Sequence, residues 1–424
     1  MKNAFRNTVS HDKLRRLPTR KQVTSLLILT AIVAAIFATP TVSFARNNLS
    51  NGSSQSYIAN ITNHTYRSSK PTVPLTAIRM LDKVHGWALT STSVLKTSDG
   101  GIHWSDVTSP NFPVHPGLTG AFMSQNEAWV VGVTEQELFI VQHTNDGGIH
   151  WQRSQFSNGP LTGTGGIIDA PHFLNAQEGW LDVQRNHTMG TGTTTNDVFH
   201  TTDGGSHWSK LATDEQIHQN ASAFGRDTGI SFKDGQNIWD TVDVVPSAAT
   251  GVIPTNPVAY VTHDGGKTWQ QQTLPSIPGL ASTSYATTPP VFFGNYGLMP
   301  VKTTSTTSGN SALSIYVTND GGIHWSSRPQ TAFDAEHVYI LDQQHIWVAD
   351  MDGSIHESQN GGQSWNTLGS IGKNSVSVVA DIDMSFTDPN TGWIVPAPDI
   401  RNGSRLLHTT DGGHTWQSIT YSIQ

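Results

Sequence analysis

Cysteine is missing from all 424 residues. This excludes a disulfide framework and a lipid-modified N-terminal cysteine, and leaves packing to hold the chain together. Charged residues are also scarce, at 13% of the sequence, and no amphipathic helical period is visible after residue 45. Surface helices are therefore not expected, and the abundant Gly, Thr and Ser suit short strands and many turns. Basic residues are outnumbered, 24 against 32 acidic, for a net charge of −8 at pH 7. The first 45 residues hold seven basic residues and one acid, Asp12, a net of +6, so the remainder carries −14. A surface this acidic repels phosphate backbones and argues against nucleic acid as a partner.

The one long apolar run, Val23 to Ala38, follows seven Lys and Arg residues and ends before Pro40 and the small-x-small triplet Ser43-Phe44-Ala45. This is the pattern of a secretory signal peptide, with an uncleaved membrane anchor as the alternative. In either case the basic flank stays in the cytoplasm and the rest is exported, so an extracytoplasmic location is expected. Any attachment to the membrane would run through this segment alone. Residues 1–45 are thus expected to be leader or anchor, and the Asn/Ser/Thr-rich stretch 46–73 a flexible tether.

What dominates the rest is a repeat. The string "SDGGIHW" at 98 recurs as "NDGGIHW" at 145, "TDGGSHW" at 202, "HDGGKTW" at 263, "NDGGIHW" at 319, "QNGGQSW" at 359 and "TDGGHTW" at 410. From Asp99 to Asp411 the box advances 312 residues in six steps, about 52 each. The acids are Asp99, Asp146, Asp203, Asp264, Asp320 and Asp411, with Asn360 in the sixth copy; the tryptophans are Trp104, Trp151, Trp208, Trp269, Trp325, Trp365 and Trp416. Asp-Gly between apolar runs signals a tight hairpin turn, because glycine takes the positive φ such turns need. The carboxylate can accept backbone N–H bonds within its own turn, and Asn can serve the same donors without charge. The Trp five residues on is expected to cover the turn.

A second element precedes every box: Trp87, Trp129, Trp180, Trp239, Leu298, Trp347 and Trp393 each end a short aromatic motif such as "HGW" or "TGW". Another apolar run lies before it. Each unit therefore supplies four strands, and seven such units from about Thr76 to Tyr421 make an all-β, seven-bladed β-propeller of four-stranded antiparallel blades, the domain 74–424. The two elements use all 13 tryptophans, leaving none to stack on a ligand.

Function is expected where the units differ. From the second-element residue to the box Asp or Asn the separations are 12, 17, 23, 25, 22, 13 and 18 residues, so units three to five carry inserts. These are "QRNHTMGTGTTTND" at 184, "VVPSAATGVIPTNP" at 244 and "KTTSTTSGNS" at 302, which fall on one face and should form a contiguous crescent of loops. Its candidate binding residues are Arg185, His187, Asn196, Thr250, Asn256, Thr304 and Asn310.

"HGWALTSTSVLKTSDGGIHW" (85–104) and "TGWIVPAPDIRNGSRLLHTTDGGHTW" (391–416) resemble the repeats of the photosystem II assembly factor family, a branch of the BNR or Asp-box propellers. The resemblance covers nearly all of 76–421 as a pattern. It implies an exported, non-enzymatic scaffold whose partner is a protein, such as a membrane-protein assembly intermediate; a monomer is expected. The long inserts, few arginines and negative charge depart from that family.

The competing expectation is a glycan-binding protein or a glycoside hydrolase, sialidase-like or xyloglucanase-like, since such enzymes also use Asp-box propellers. An arginine clamp would draw on Arg79, Arg185 and Arg226, and a two-carboxylate mechanism on Asp169, Asp240, Asp243, Asp381 and Asp383. The box histidines His103, His150, His207 and His324 occur one per unit and cannot meet on one ion. The acids near 351 and 381 lack calcium-loop spacing, so neither metal nor cofactor is expected.

Overall fold

A computed structural model of the chain describes residues 41–43 and 73–424, apart from 111, 113–116, 135–137, 159–169, 188–193, 219–224, 245–254, 278–282, 306–307, 372–381 and 397–404. Most of the expected leader and tether lies outside these residues. Thr41–Ser43 is an exception, pairing antiparallel with His337–Tyr339. Among the described residues no helix is long and apolar enough to cross a membrane.

The alternation of apolar runs and turns folds into seven four-stranded antiparallel blades. Blade one is Leu75–Met80, Gly86–Thr90, Val94–Thr97 and His103–Asp106. Blade two runs from Thr119–Phe122 to Gln152–Ser157, and blade three from His172–Phe173 to Ser209–Thr213. Blade four spans Gly225–Phe232 to Gln270–Thr273, and blade five Val291–Phe293 to Ser326–Ser327. Blade six spans Ala335–Ile340 to Asn366–Ser370, and blade seven Asp383–Phe386 to Gln417–Ile419. The expected all-β blade architecture is therefore present. One helical turn, Asp214–Ile217, links blades three and four.

The ring closes at blade one. Ser422–Ile423 adds a parallel fifth strand to His103–Trp104, with Ser422 N–H on Ile102 O (3.1 Å), Gln424 N–H on Trp104 O (2.8 Å) and Asp106 N–H on Gln424 O (3.1 Å). On the inner strands, Ile78 N–H reaches the Asp383 carboxylate (2.7 Å) and Met80 N–H the Ser385 hydroxyl (2.9 Å), joining blades one and seven. The apolar side chains form seven clusters, each shared by two neighbouring blades. Leu75, Ile78 and Leu95 of blade one, for example, pack against Trp393, Val395 and Leu406 of blade seven. The core is thus the set of blade interfaces.

Each box is a hydrogen-bonded knot. In the third, Asp203 Oδ1 accepts the Thr201 hydroxyl (2.9 Å) and the His207 N–H (2.9 Å), while Oδ2 meets His207 Nδ1 (2.6 Å). The glycines after the Asp take positive φ, 71° at Gly204 and 85° at Gly205, which an L side chain resists. Asn360 substitutes as expected: its Oδ1 accepts Ser364 N–H (2.9 Å) and its Nδ2 donates to Ser364 Oγ (2.8 Å). A further invariant member had not been anticipated. The Thr or Ser two residues before the Asp (Thr97, Thr144, Thr201, Thr262, Thr318, Ser358, Thr409) donates to it and accepts the N–H of the second glycine.

The tryptophans divide the work differently from expectation. All six second-element tryptophans are fully buried, whereas among the box tryptophans Trp104 and Trp325 are buried and the other five are half-buried, each just before an outer strand. The indoles of the second element also tie blades together. Trp129 Nε1 donates to Gly204 O (2.8 Å), Trp347 Nε1 to Gly412 O (2.8 Å) and Trp393 Nε1 to Gly100 O (3.0 Å), in each case the box of the next blade.

Box geometry makes acid lability calculable in sign. The His150 backbone N–H, then its side chain, holds Asp146 down at about 2, and the Thr268 N–H does the same for Asp264. The Thr415 hydroxyl and N–H place Asp411 at about 2. Burial pushes Asp99 up, but bonds from His103 and Thr97 outweigh it and bring it to about 2. A carboxylate whose folded pKa lies below its ordinary 3.8 stabilises the fold above that pH and stops doing so as pH falls toward about 2. Thermal melts should therefore show the melting temperature dropping steeply between pH 3.8 and about 2. A melting temperature that holds level across that interval would contradict this account of the boxes.

Candidate functional site

Propeller topology sorts the connections. The boxes join third to fourth strands on one face; links from second to third strand, and from blade to blade, lie on the other. The inserts of blades three and five lie on this second face as extended strands instead of the expected loops, while most of the blade-four insert lies outside the described residues. In blade three, Gly179–His187 pairs with Thr194–Thr201 out to His187↔Thr194. In blade five, Tyr296–Ser305 pairs with Ser311–Thr318 out to Thr304↔Ser311. Blade one's equivalent, Gly86–Thr90, has five residues against nine and ten here. At roughly 3.3 Å per residue, the longer hairpins project on the order of 13–16 Å further.

Blades four and five are fused at this face. The segment Thr283–Thr287 pairs with Asp243–Val244 of blade four on one side and Val301–Ser305 of blade five on the other, producing one continuous sheet. Its geometry follows from Thr288-Pro289-Pro290, which interrupts the inner strand because proline cannot donate to a ladder. Thr287 pins the junction: its hydroxyl accepts Val242 N–H (3.0 Å) and donates toward Val258 O (2.9 Å).

The candidate binding residues fare unequally. Arg185 and His187 lie in the extended second strand of blade three, and Thr304 in that of blade five, half-buried with its hydroxyl 3.0 Å from Ser311 Oγ. Asn310 is exposed at the blade-five hairpin tip. Asn256 is half-buried and donates to Leu274 O (2.9 Å), while Thr250 lies outside the described residues. Asn196 is a correction. It is fully buried, donating to Asp182 Oδ2 (2.8 Å), because it lies on the paired strand next to blade three's core and not on a loop.

The candidates for enzyme chemistry are mostly committed to structure. Arg79 donates to Tyr339 Oη (3.2 Å), and Asp383 caps the Ile78 N–H. Asp243 is half-buried in blade four, and Asp169 and Asp381 lie outside the described residues. Arg226 pairs through its backbone with Asp243.

Asp240 is fully buried and belongs to a cluster the sequence analysis did not assemble. The turn Asp214–Ile217 is set by a capping box, with Thr213 and Gln216 bonding each other's backbone. It places Asp214 and His218 four residues apart, with His218 Nδ1 2.8 Å from Asp214 Oδ1. His218 Nε2 then lies 3.0 Å from Asp240 Oδ2 and 3.4 Å from Asp227 Oδ1. Asp227 comes from the inner strand of blade four at a break in register between Asp227 and Gly229. The Tyr260 ring stands edge-on to the imidazole, centroids 4.4 Å apart. Burial opposes a charged His218, but Asp214 and Asp240 overcome it and push the imidazole up to about 11. Burial, with Asp240 beside it, raises Asp227 well above the ordinary carboxylate range, and burial raises Asp240. The only sequence-level trace of this site is the i, i+4 pair in "DEQIH".

Comparison with known proteins places two family matches on this frame. A model described as photosynthesis system II assembly factor YCF48 matches residues 328–424, which span blades six and seven, and a BNR/Asp-box repeat model matches 260–271, the blade-four box. No curated protein matches the chain. Among solved structures, "YCF48 bound to D1 peptide" is 16% identical, covering 80% of this chain and 93% of that one, with a TM-score of 0.49. YCF48 from Cyanidioschyzon merolae is 19% identical, covering 81% and 97%, with a TM-score of 0.47. A PL25 polysaccharide lyase, an ulvan lyase, is 12% identical, covering 75% and 84%, with a TM-score of 0.46. Over the two stretches that the family models match, the chain is similar to BNR/Asp-box repeats and to the photosystem II assembly factor family.

Proposed function

We propose that this protein is an exported, non-catalytic scaffold that binds a protein partner, a membrane-protein assembly intermediate, through the face bearing the long hairpins of blades three and five. The observation that carries this reading is the asymmetry of that face. Paired strands extend well beyond the blade body in blades three and five, and Thr283–Thr287 braces blades four and five into a single sheet. A rigid scaffold presenting preformed strands binds at lower ordering cost than mobile loops would. The match of blades six and seven to the YCF48 family model supports the choice of a protein partner. The engagement of Arg79, Asp240 and Asp383 in structural bonds supports a non-catalytic role over glycan hydrolysis.

The test is affinity capture from a membrane extract of the source organism, followed by direct titration of the captured protein. The whole chain is compared with a variant whose blade-three and blade-five hairpins are cut to blade-one length. The expected result is tight binding by the first and at least a tenfold loss in the second, with the variant's melting temperature close to that of the parent. Equal binding by both moves the site off this face, and hydrolysis of a glycan panel by the whole chain would sink the non-catalytic reading.

A further inference from the structure

Apart from the long hairpins, the group of side chains that packing alone does not explain is the one between blades three and four. Asp214, Asp227 and Asp240 are almost wholly buried around His218. Burying several carboxylates in one place is expensive unless each oxygen finds a partner. Among the described residues two do not: Asp227 Oδ2 and Asp240 Oδ1 are buried with no hydrogen-bond partner there, and the Tyr260 hydroxyl is likewise unsatisfied. Native interiors rarely leave such atoms unmet, so a cluster of them beside an imidazole calls for an account beyond packing.

The arrangement has the parts of a metal site. One oxygen each from Asp214 and Asp227 and a ring nitrogen of His218 lie within 4.8 Å of one another. His218 Nε2 faces Asp227 and Asp240, while Nδ1 is held by Asp214. A histidine that gives one nitrogen to a metal and the other to a carboxylate is the usual way a protein orients such a ligand. Mixed imidazole and carboxylate donors suit a first-row divalent ion such as Zn²⁺ or Mn²⁺; Ca²⁺ prefers oxygen alone.

We propose that His218, Asp227 and Asp240 bind a divalent transition-metal ion, with Asp214 orienting the imidazole. The ion clasps blades three and four together: Asp214 and His218 follow the last strand of blade three, and both other carboxylates sit on blade four. It lies on the side of the ring where the blade-to-blade link runs, beneath the long hairpins. This site is separate from the box His–Asp pairs, which lie at the surface, one each in blades one, two, three and five.

The experiment uses the full chain, stripped with a chelator and titrated calorimetrically with ZnCl₂, MnCl₂ and CaCl₂ separately. One equivalent of Zn²⁺ or Mn²⁺ should bind, with release of a proton and a higher melting temperature, and Ca²⁺ should bind at least tenfold more weakly. Asp227→Asn keeps the side-chain shape and removes a buried charge, so it should fold as well as the parent while losing at least tenfold in affinity. X-ray absorption of the loaded protein should show an imidazole nitrogen among the ligands. Absence of stoichiometric binding in the parent overturns the proposal. So does equal affinity in Asp227→Asn and Asp240→Asn, which would assign the ion to the surface histidines; His150→Ala serves as the control, expected to bind as the parent does.

Discussion

Trp393→Ala should lower the free energy of unfolding by about 3 to 5 kcal/mol, the usual cost of removing a buried aromatic side chain. Its indole is fully buried, packs among Leu75, Ile78 and Leu406, stacks on His408 at 4.7 Å and donates to Gly100 O, the box of blade one. Truncation would open a cavity at the seam where the ring closes and leave that carbonyl without its donor. Trp416→Ala is the comparison. That indole is half-buried just before the outer strand of the same blade and its Nε1 has no acceptor among the described residues, so its loss should be about 0.75 to 1.5 kcal/mol, half the roughly 1.5 to 3 kcal/mol for fully burying a large apolar side chain. Urea unfolding of both variants decides the matter. If Trp393→Ala fails to fold, Trp393→Phe keeps the apolar contact and loses mainly the N–H bond, about 1 kcal/mol. Equal losses for Trp393→Ala and Trp416→Ala would mean that the second-element tryptophans are not what locks the ring.

That contrast also marks how far sequence reasoning reaches. The Asp-Gly-Gly turn and the Trp five residues on are local, so their period, their four-strand unit and the role of Asn360 are legible from spacing alone. The Thr or Ser two residues before each Asp or Asn is equally legible, since all seven copies carry it. Burial depth is different. Nothing in "TGW" versus "HTW" says that Trp393 is fully buried at the ring's closing seam and Trp416 only half-buried, because that depends on neighbours about 300 residues away. Asn196 was misplaced for a related reason: a Thr/Asn-rich insert reads as a loop, yet here it continues a ladder, and its polar side chain is satisfied by Asp182. Thr283–Thr287 has the alternation of any strand, and only the sheet shows that it serves two blades. The four members of the His218 cluster come from three elements across a blade boundary, so no spacing rule assembles them.

His218→Ala, measured with chelator present so that no ion contributes, should cost about 3 to 5 kcal/mol, the typical penalty for removing one partner from a buried charge group. The imidazole contacts Asp214, Asp240 and Asp227, and its loss leaves their carboxylates facing one another in the interior. Substituting a carboxylate should act oppositely: Asp227→Asn removes a charge whose burial already pushes its pKa up, and stability should hold or rise. The pH dependence follows from the direction of the histidine shift. A folded-state value near 11, above the ordinary 6.5, means the stabilisation is complete below pH 6.5 and is lost as pH climbs through about 11. The stability gap between parent and His218→Ala should thus be full at pH 6.5 and clearly narrower by the time pH approaches about 11. A gap that stays constant over that range would mean His218 acts by filling space. A gap that grows with pH would mean the imidazole is neutral in the folded chain, reversing the charge assignment on which the buried network rests.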